Sequence, residues 1–315
     1  MNDSRARIVT TARGTKPEAF GPAEWGLLGA IALMWGSSFV FIEIGLQSLR
    51  PALVTLARIA LGAAALVVFP RARRPVARED WPRIVVLSVV WMSLPLLLFP
   101  IAQQWIDSSL AGMINGAMPL FAAAFYALLL RHPPGRLQVI GLVVGFLGVV
   151  VILVPESGDA SASLLGAGLV LLATACYGLA ANLAVPLQQR YGSLPVILRT
   201  QAVALATVLP FGLAAIPGSR LTLPTAASML ALGVLGTGVA FVMMAALVGR
   251  AGAARGAVAI YFIPVVATIE GALFLNESVH PLALAGVALV LMGAWLTSRR
   301  ERDAAKADAG VPTGD

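Results

Sequence analysis

Ten runs of about 20 mainly apolar residues, separated by short polar or turn-forming stretches, dominate this sequence. They fall at approximately 25–47, 51–70, 84–104, 108–130, 136–154, 163–186, 195–216, 225–249, 253–275 and 281–298. A run of that length covers roughly 30 Å of hydrocarbon as an α-helix, and in lipid a helix satisfies its own backbone N–H and C=O groups. A mean hydropathy of +0.88, with 59% hydrophobic and 12% charged residues, is more apolar surface than a water-soluble globule of 315 residues can hide. The expectation is an all-α transmembrane protein whose solvent is the lipid bilayer. Pro51, Pro195, Pro224 and Pro281 stand at helix starts, where a missing N–H costs nothing, and Pro155 follows a helix end.

The net charge of +7 could suggest a nucleic-acid partner, but the arginines form no patch interleaved with aromatics. They sit in the short loops and set topology instead. With the N-terminus in the cytoplasm, the inside holds Arg5, Arg7, Arg13, Lys16, Arg71, Arg73, Arg74, Arg78, Arg83, Arg131, Arg136, Arg190, Arg250, Arg255, Arg299, Arg300, Arg302 and Lys306. Those are 18 cations, against Arg50 and Arg220 outside. Cytoplasmic loops carry such an excess. One helix too many or too few would destroy the bias, so ten helices with both termini cytoplasmic follow, in the inner (cytoplasmic) membrane. Residues 1–24 then form a cytoplasmic N-terminal tail and 299–315 a C-terminal one. The first apolar run is too long for a signal-peptide core and reads as an uncleaved insertion signal. Cys176 is the sole cysteine and lies inside an apolar run, so an internal disulfide is excluded.

Residues 107–152 and 252–297 align without a gap at an offset of 145, matching Pro119 with Pro264, Gly141 with Gly286 and Gly148 with Gly293. Proline and glycine impose backbone geometry, so these identities mean more than shared Ala or Leu. Each repeat, 25–154 and 163–298, holds five helices. Five is odd, so the second copy enters from the opposite face. The expected architecture is two inverted five-helix repeats around a central cavity, a plan secondary transporters use for alternating access.

Trp35-Gly36-Ser37-Ser38-Phe39-Val40 in the first helix, Leu56-Ala57-Arg58-Ile59-Ala60 in the second, and Leu273-Phe274-Leu275-Asn276-Glu277 followed by Gly286 and Gly293 resemble the EamA family of the drug/metabolite transporter superfamily. The resemblance covers roughly residues 25–298. It implies ten helices, an inverted five-plus-five duplication, a cavity lined mainly by helices 1, 3, 4, 6, 8 and 9, and metabolite transport, often export. Two positions depart from the family pattern. Glu43 stands where a lysine is common, and Arg131-His132 replaces a glutamate after the fourth helix.

Ionisable groups inside a bilayer cost roughly 2.5–3.5 kcal/mol each and mark a pathway or a pair. Glu43, Arg58, Arg199 and Glu270 are such groups. Glu43 and Arg58 lie about 6 and 10 Å below the outer interface on a short hairpin, at 1.5 Å per residue. An ion pair between them is expected ahead of a solute-binding role. Arg199, one turn from the inner interface, is expected to snorkel. Glu270 lacks a charge partner on its own helix and is a candidate for binding a proton or a cationic solute. Nine residues separate it from Tyr261, which places the two on opposite faces. Trp35, Phe39 and Glu43 share a face of helix 1; Thr237, Phe241 and Met244 share one on helix 8. With Asn115 (helix 4), Tyr177 and Asn182 (helix 6) and Tyr261, the aromatic residues are cavity candidates through the family resemblance, although such stripes commonly serve packing. The Gly112-xxx-Gly116, Gly141-xxx-Gly145 and Gly252-xxx-Gly256 pairs read as helix-packing sites.

No P-loop, H-E-x-x-H zinc motif or G-x-S-x-G elbow is present, and no cofactor or metal is implied. The reading is a non-enzymatic carrier, an exporter of a small metabolite or amino-acid-like solute by alternating access, secondary-active or facilitative, with protons as the candidate coupling ion. The alternative is a polytopic membrane enzyme or sensor, whose sign would be close-set catalytic groups.

Overall fold

The computed structural model describes residues 22–130, 135–154, 160–251, 260 and 262–298. Among these residues there are ten helices and no strand: α1 (Pro22–Leu46), α2 (Pro51–Val67), α3 (residues 81–102), α4 (residues 108–130), α5 (Arg136–Leu153), α6 (Ala160–Tyr191), α7 (Ser193–Ala214), α8 (residues 223–251), α9 (Ile263–Leu275) and α10 (Pro281–Ser298). Seven are long and apolar enough to cross a membrane, and Pro51–Val67, Ile263–Leu275 and Pro281–Gly293 are shorter apolar helices. The expected first half of α9, with Tyr261 and the Gly252–Gly256 pair, lies outside the described residues.

Three helices are interrupted, each with a local cause. In α4, Ser108–Asn115 ends in a tight turn and Met118–Leu130 resumes. Pro119 has no N–H to offer the carbonyl of Asn115 and would clash with it. The chain tightens there, with Gly116 N donating to Met113 O at 3.1 Å and Ala117 N to Ile114 O at 3.0 Å. In α3 a wider π-helical stretch, Val89–Ser93, joins Trp81–Ser88 to Leu94–Ala102, just ahead of Pro95. In α8 a second π stretch, Leu232–Val239, joins Leu223–Ala231 to Ala240–Ala251 and carries Gly233, Gly236 and Gly238. Adding 145 to 89–93 gives 234–238. The two repeats thus carry the same irregularity at the same place.

The packing obeys the same exchange. α1 packs on α9 as α6 packs on α4; α2 packs on α8 as α7 packs on α3; α2–α7, α4–α9 and α5–α10 pair with their own counterparts. In α5–α10, backbone meets backbone. A Cβ on Gly148 would strike Gly286 O and Val290 N, and one on Gly293 would strike Gly141 O and Gly145 N. Residue numbers rise along α5 as they fall along α10, so the equivalent helices are antiparallel. A two-fold relating antiparallel helices lies perpendicular to them, in the plane of the membrane, and the repeats are inverted. Helices in lipid gain little from the hydrophobic effect, and close approach at small residues supplies the adhesion instead.

Candidate functional site

Inside the bundle lies a cavity walled by both repeats. From α1 come Trp35, Ser38, Phe39 and Ile42, at i, i+3, i+4 and i+7, the spacing that puts residues on one helical face. α2 gives Arg58; α3 gives Trp91 and Phe99; α4 gives Asn115 and Met118, on either side of its break. α6 contributes Tyr177 and Ala181, α8 contributes Met244, and Ile260 lies just ahead of α9.

The aromatic side chains hold one another edge to face. Phe241, fully buried behind the wall, meets Trp35 at 5.1 Å, Trp91 at 5.6 Å and Tyr177 at 6.5 Å between ring centroids. Phe99 bridges Phe39 at 5.4 Å and Tyr177 at 5.7 Å. Trp35 Nε1 donates to Gly236 O at 2.9 Å, anchoring the indole to the π stretch of α8. Each such ring pair adds about 0.5–1.5 kcal/mol beyond area burial, so the rings support one another across the two repeats.

Arg58 also reaches the π stretch. Its Nε donates to Thr237 Oγ1 at 3.0 Å, Thr237 Oγ1 donates to Leu232 O at 3.0 Å, and Gln201 Nε2 from α7 donates to Thr237 O at 2.6 Å. A Cβ on Gly62 would touch Gly233 O and Gly238 N, and the closeness of α2 to α8 there brings Arg58 within reach.

The expected Glu43–Arg58 ion pair does not form. Arg58 turns into the cavity. Glu43 lies one position past Ile42 on α1, near Asp107, Glu277 and Gln103 at the far end of the bundle, and its Oε2 is buried without a hydrogen bond. Similar depth does not fix direction around a helix. Glu270 is half-buried on the α1–α9 contact, where its Oε1 accepts from Ser37 Oγ at 2.8 Å, and it does not line the cavity. Asn182 also lies behind the wall, its Nδ2 donating to Ala122 O at 2.9 Å and Gly178 O at 3.0 Å to clamp α6 to α4. Trp35, Phe39, Asn115, Tyr177 and Arg58 line the cavity together, with Phe241 packed behind them. Sequence reasoning missed Trp91 and Phe99. Phe99 sits 145 residues before Met244, so the repeat offset was a signal for it.

Polar contacts between repeats tie both ends. At the arginine-rich end, buried Asp80 accepts from Arg190 Nη1 at 2.6 Å, Tyr191 Oη at 2.6 Å and Arg83 Nη1 at 3.1 Å, while Arg190 Nη2 also meets Glu79 at 2.8 Å. Arg199 Nη1 donates to Ala72 O at 2.8 Å. At the far end, Glu277 caps α4: Oε1 accepts from Ser108 N at 2.9 Å and Ser108 Oγ at 2.6 Å, and Oε2 from Ser109 N at 2.9 Å.

Ten helices in two inverted fives around a polar-studded, membrane-buried cavity define a multi-pass protein of the secondary-transporter type. A family model matches residues 24–154 and again 164–299, and the chain belongs to the EamA-like transporter family. It is 29% identical over 283 residues to a protein of Streptantibioticus cattleyicolor named a probable terminal-alkyne amino-acid exporter, covering 88% of this chain and 94% of that one. It is 25% identical over 279 residues to a probable amino-acid metabolite efflux pump of Salmonella typhimurium, covering 84% and 91%. An uncharacterized transporter of Archaeoglobus fulgidus is 24% identical over 88% of this chain and 99% of its own. A crystal structure at 18% identity superposes with a TM-score of 0.65 over 87% of this chain and 96% of that one, a likeness of fold.

Proposed function

We propose that this protein exports a small metabolite or amino-acid-like solute across the cytoplasmic membrane by alternating access through the central cavity. The observation that carries this reading is the cavity itself: an internal space lined by aromatic and polar side chains from both inverted halves, with contacts between the halves at each end. The arginine-rich end faces the cytoplasm, with both termini there, on the 18-to-2 loop bias. Trp35, Phe39, Asn115 and Tyr177 contact the solute. Phe241 and Asn182 hold the wall, and Glu43 and Glu270 are the coupling candidates for a proton. The names of the Streptantibioticus and Salmonella relatives favour amino-acid-like cargo and outward transport.

The test is counterflow in proteoliposomes. Vesicles preloaded with unlabelled amino acids should accumulate labelled ones above empty controls, and an imposed pH gradient should change the rate if protons couple. Flux equal to that of protein-free vesicles across a panel of amino acids and their metabolites would remove the reading.

A further inference from the structure

The cavity holds a charge that the protein leaves unneutralised. Arg58 is only 3% exposed and lines the cavity, and among the described residues its one hydrogen bond is from Nε to Thr237. The ion pairs among those residues, Arg83–Asp80, Arg190–Glu79 and Arg190–Asp80, all lie at the arginine-rich end. Both terminal guanidinium nitrogens of Arg58 therefore lack an acceptor among the described residues. A cation held away from water without a counter-ion is costly, which favours filling the site with an anion.

A second polar group lining the cavity wants the opposite partner. Asn115 is 4% exposed, lines the same cavity, and its Oδ1 is buried with no hydrogen bond among the described residues. It can accept an N–H. Trp35, Phe39, Trp91 and Phe99 offer an apolar surface around both groups.

We infer that the solute is a monocarboxylate bearing an amino group and an apolar body, its carboxylate seated on the two terminal nitrogens of Arg58, its N–H directed to Asn115 Oδ1 and its side chain in the aromatic box. This rests on the transport reading. Arg58 is the one charged residue among the described residues lining the cavity, so a carboxylate placed there has a counter-ion, while the ammonium of a zwitterionic solute meets only the neutral oxygen of Asn115. The planar guanidinium fork fits a carboxylate with two parallel bonds. Arg58 also repels organic cations that carry no carboxylate, so it selects the head group as well as placing it.

Equilibrium binding to the purified full-length protein, by calorimetry in a chloride-free buffer, uses three probes: phenylalanine, phenylalaninamide and 3-phenylpropionate. Phenylalanine should bind, and the amide, which lacks the carboxylate, at least about tenfold more weakly. Arg58→Gln should abolish the preference for acid over amide, and Arg58→Lys should retain part of it. Asn115→Ala should weaken phenylalanine and leave phenylpropionate unchanged. The wild-type contrast of acid with amide needs no variant, so a poorly folded Arg58→Gln does not block the test. Equal binding of acid and amide, no binding by either acid, or an acid preference that survives in well-folded Arg58→Gln overturns the inference. Vesicle flux measured in parallel separates the two ideas. Flux of a solute without a carboxylate, unaffected by Arg58→Gln, sinks the anion site alone; acid-selective binding without flux of the bound acid sinks the transport reading alone.

Discussion

Glu277 lies in the segment after α9, yet its carboxylate satisfies the buried N–H groups that the first turn of α4 leaves without helical partners. Asp107 occupies the N-cap position there and makes no cap bond of its own. A carboxylate at a helix N-terminus also meets the positive end of the helix dipole. Glu277→Ala should therefore cost about 1–3 kcal/mol, as expected for a charge-assisted cap, and lower the melting temperature in detergent. Asp107 behaves differently. It reaches solvent on one side, but partial burial, and then the charge of Glu277, hold its carboxyl above the usual carboxylate range. The native state then keeps a proton that the unfolded chain releases, so this residue's contribution to stability falls as pH rises through and above the ordinary carboxylate value. Asp107→Asn removes that loss. Its melting temperature should match wild type near pH 3.5 and exceed it at pH 7.5; a gain that is the same at both values would refute the assignment. At this scale the sequence was partly legible. Arg58 and Glu43 stood out as charges in apolar runs, but depth along a helix said nothing of rotation, and the two face different surroundings. The capping role of Glu277 was not legible, because its partners lie 169 and 168 residues away.

Among the elements, α8 shows how a local irregularity becomes a site. Its π stretch places Thr237 Oγ1 on Leu232 O and within reach of Arg58, and exposes Gly236 O to Trp35. Such stretches cost regular hydrogen bonding and recur at functional positions. Thr237→Val keeps the shape and removes the hydroxyl. It should weaken carboxylate binding by about threefold to tenfold, as loss of a roughly 1 kcal/mol orienting bond implies, while the fold persists. The α5–α10 pair has a structural role. Gly148→Leu puts a side chain where Gly286 O lies and should cost at least about 1–3 kcal/mol by overpacking, read as a lower melting temperature. These glycines were visible in the sequence, since their spacing and their repetition at 145 marked them. The π stretches were not, because i→i+4 and i→i+5 bonding share one apolar composition and only the surrounding helices select between them.

For the whole molecule, alternating access requires the two ends to open in turn. The Asp80–Arg190–Glu79 cluster joins the start of α3 to the end of α6 and is the contact to break at the arginine-rich end. Cysteines replacing Glu79 and Arg190, bridged by a bis-methanethiosulfonate linker, should stop vesicle flux, and a reductant should restore it. The single native cysteine, Cys176, is buried and leaves a low background. Flux unaffected by the bridge would mean that this end does not move. The helix count, the inversion and the burial of the chain in lipid were all determined by the sequence. Hydrocarbon thickness sets segment length, loop charge sets direction, and an odd number of helices per repeat forces the second copy to invert; none of these needs a tertiary contact. The tertiary structure decided which side chains meet. Arg58 joining Thr237 rather than Glu43, Glu277 capping a helix of the other repeat, and Glu270 turning away from the cavity all depend on helix rotation and on close approach at glycines. Those are set by packing between segments far apart in sequence, and a hydropathy pattern carries no record of them.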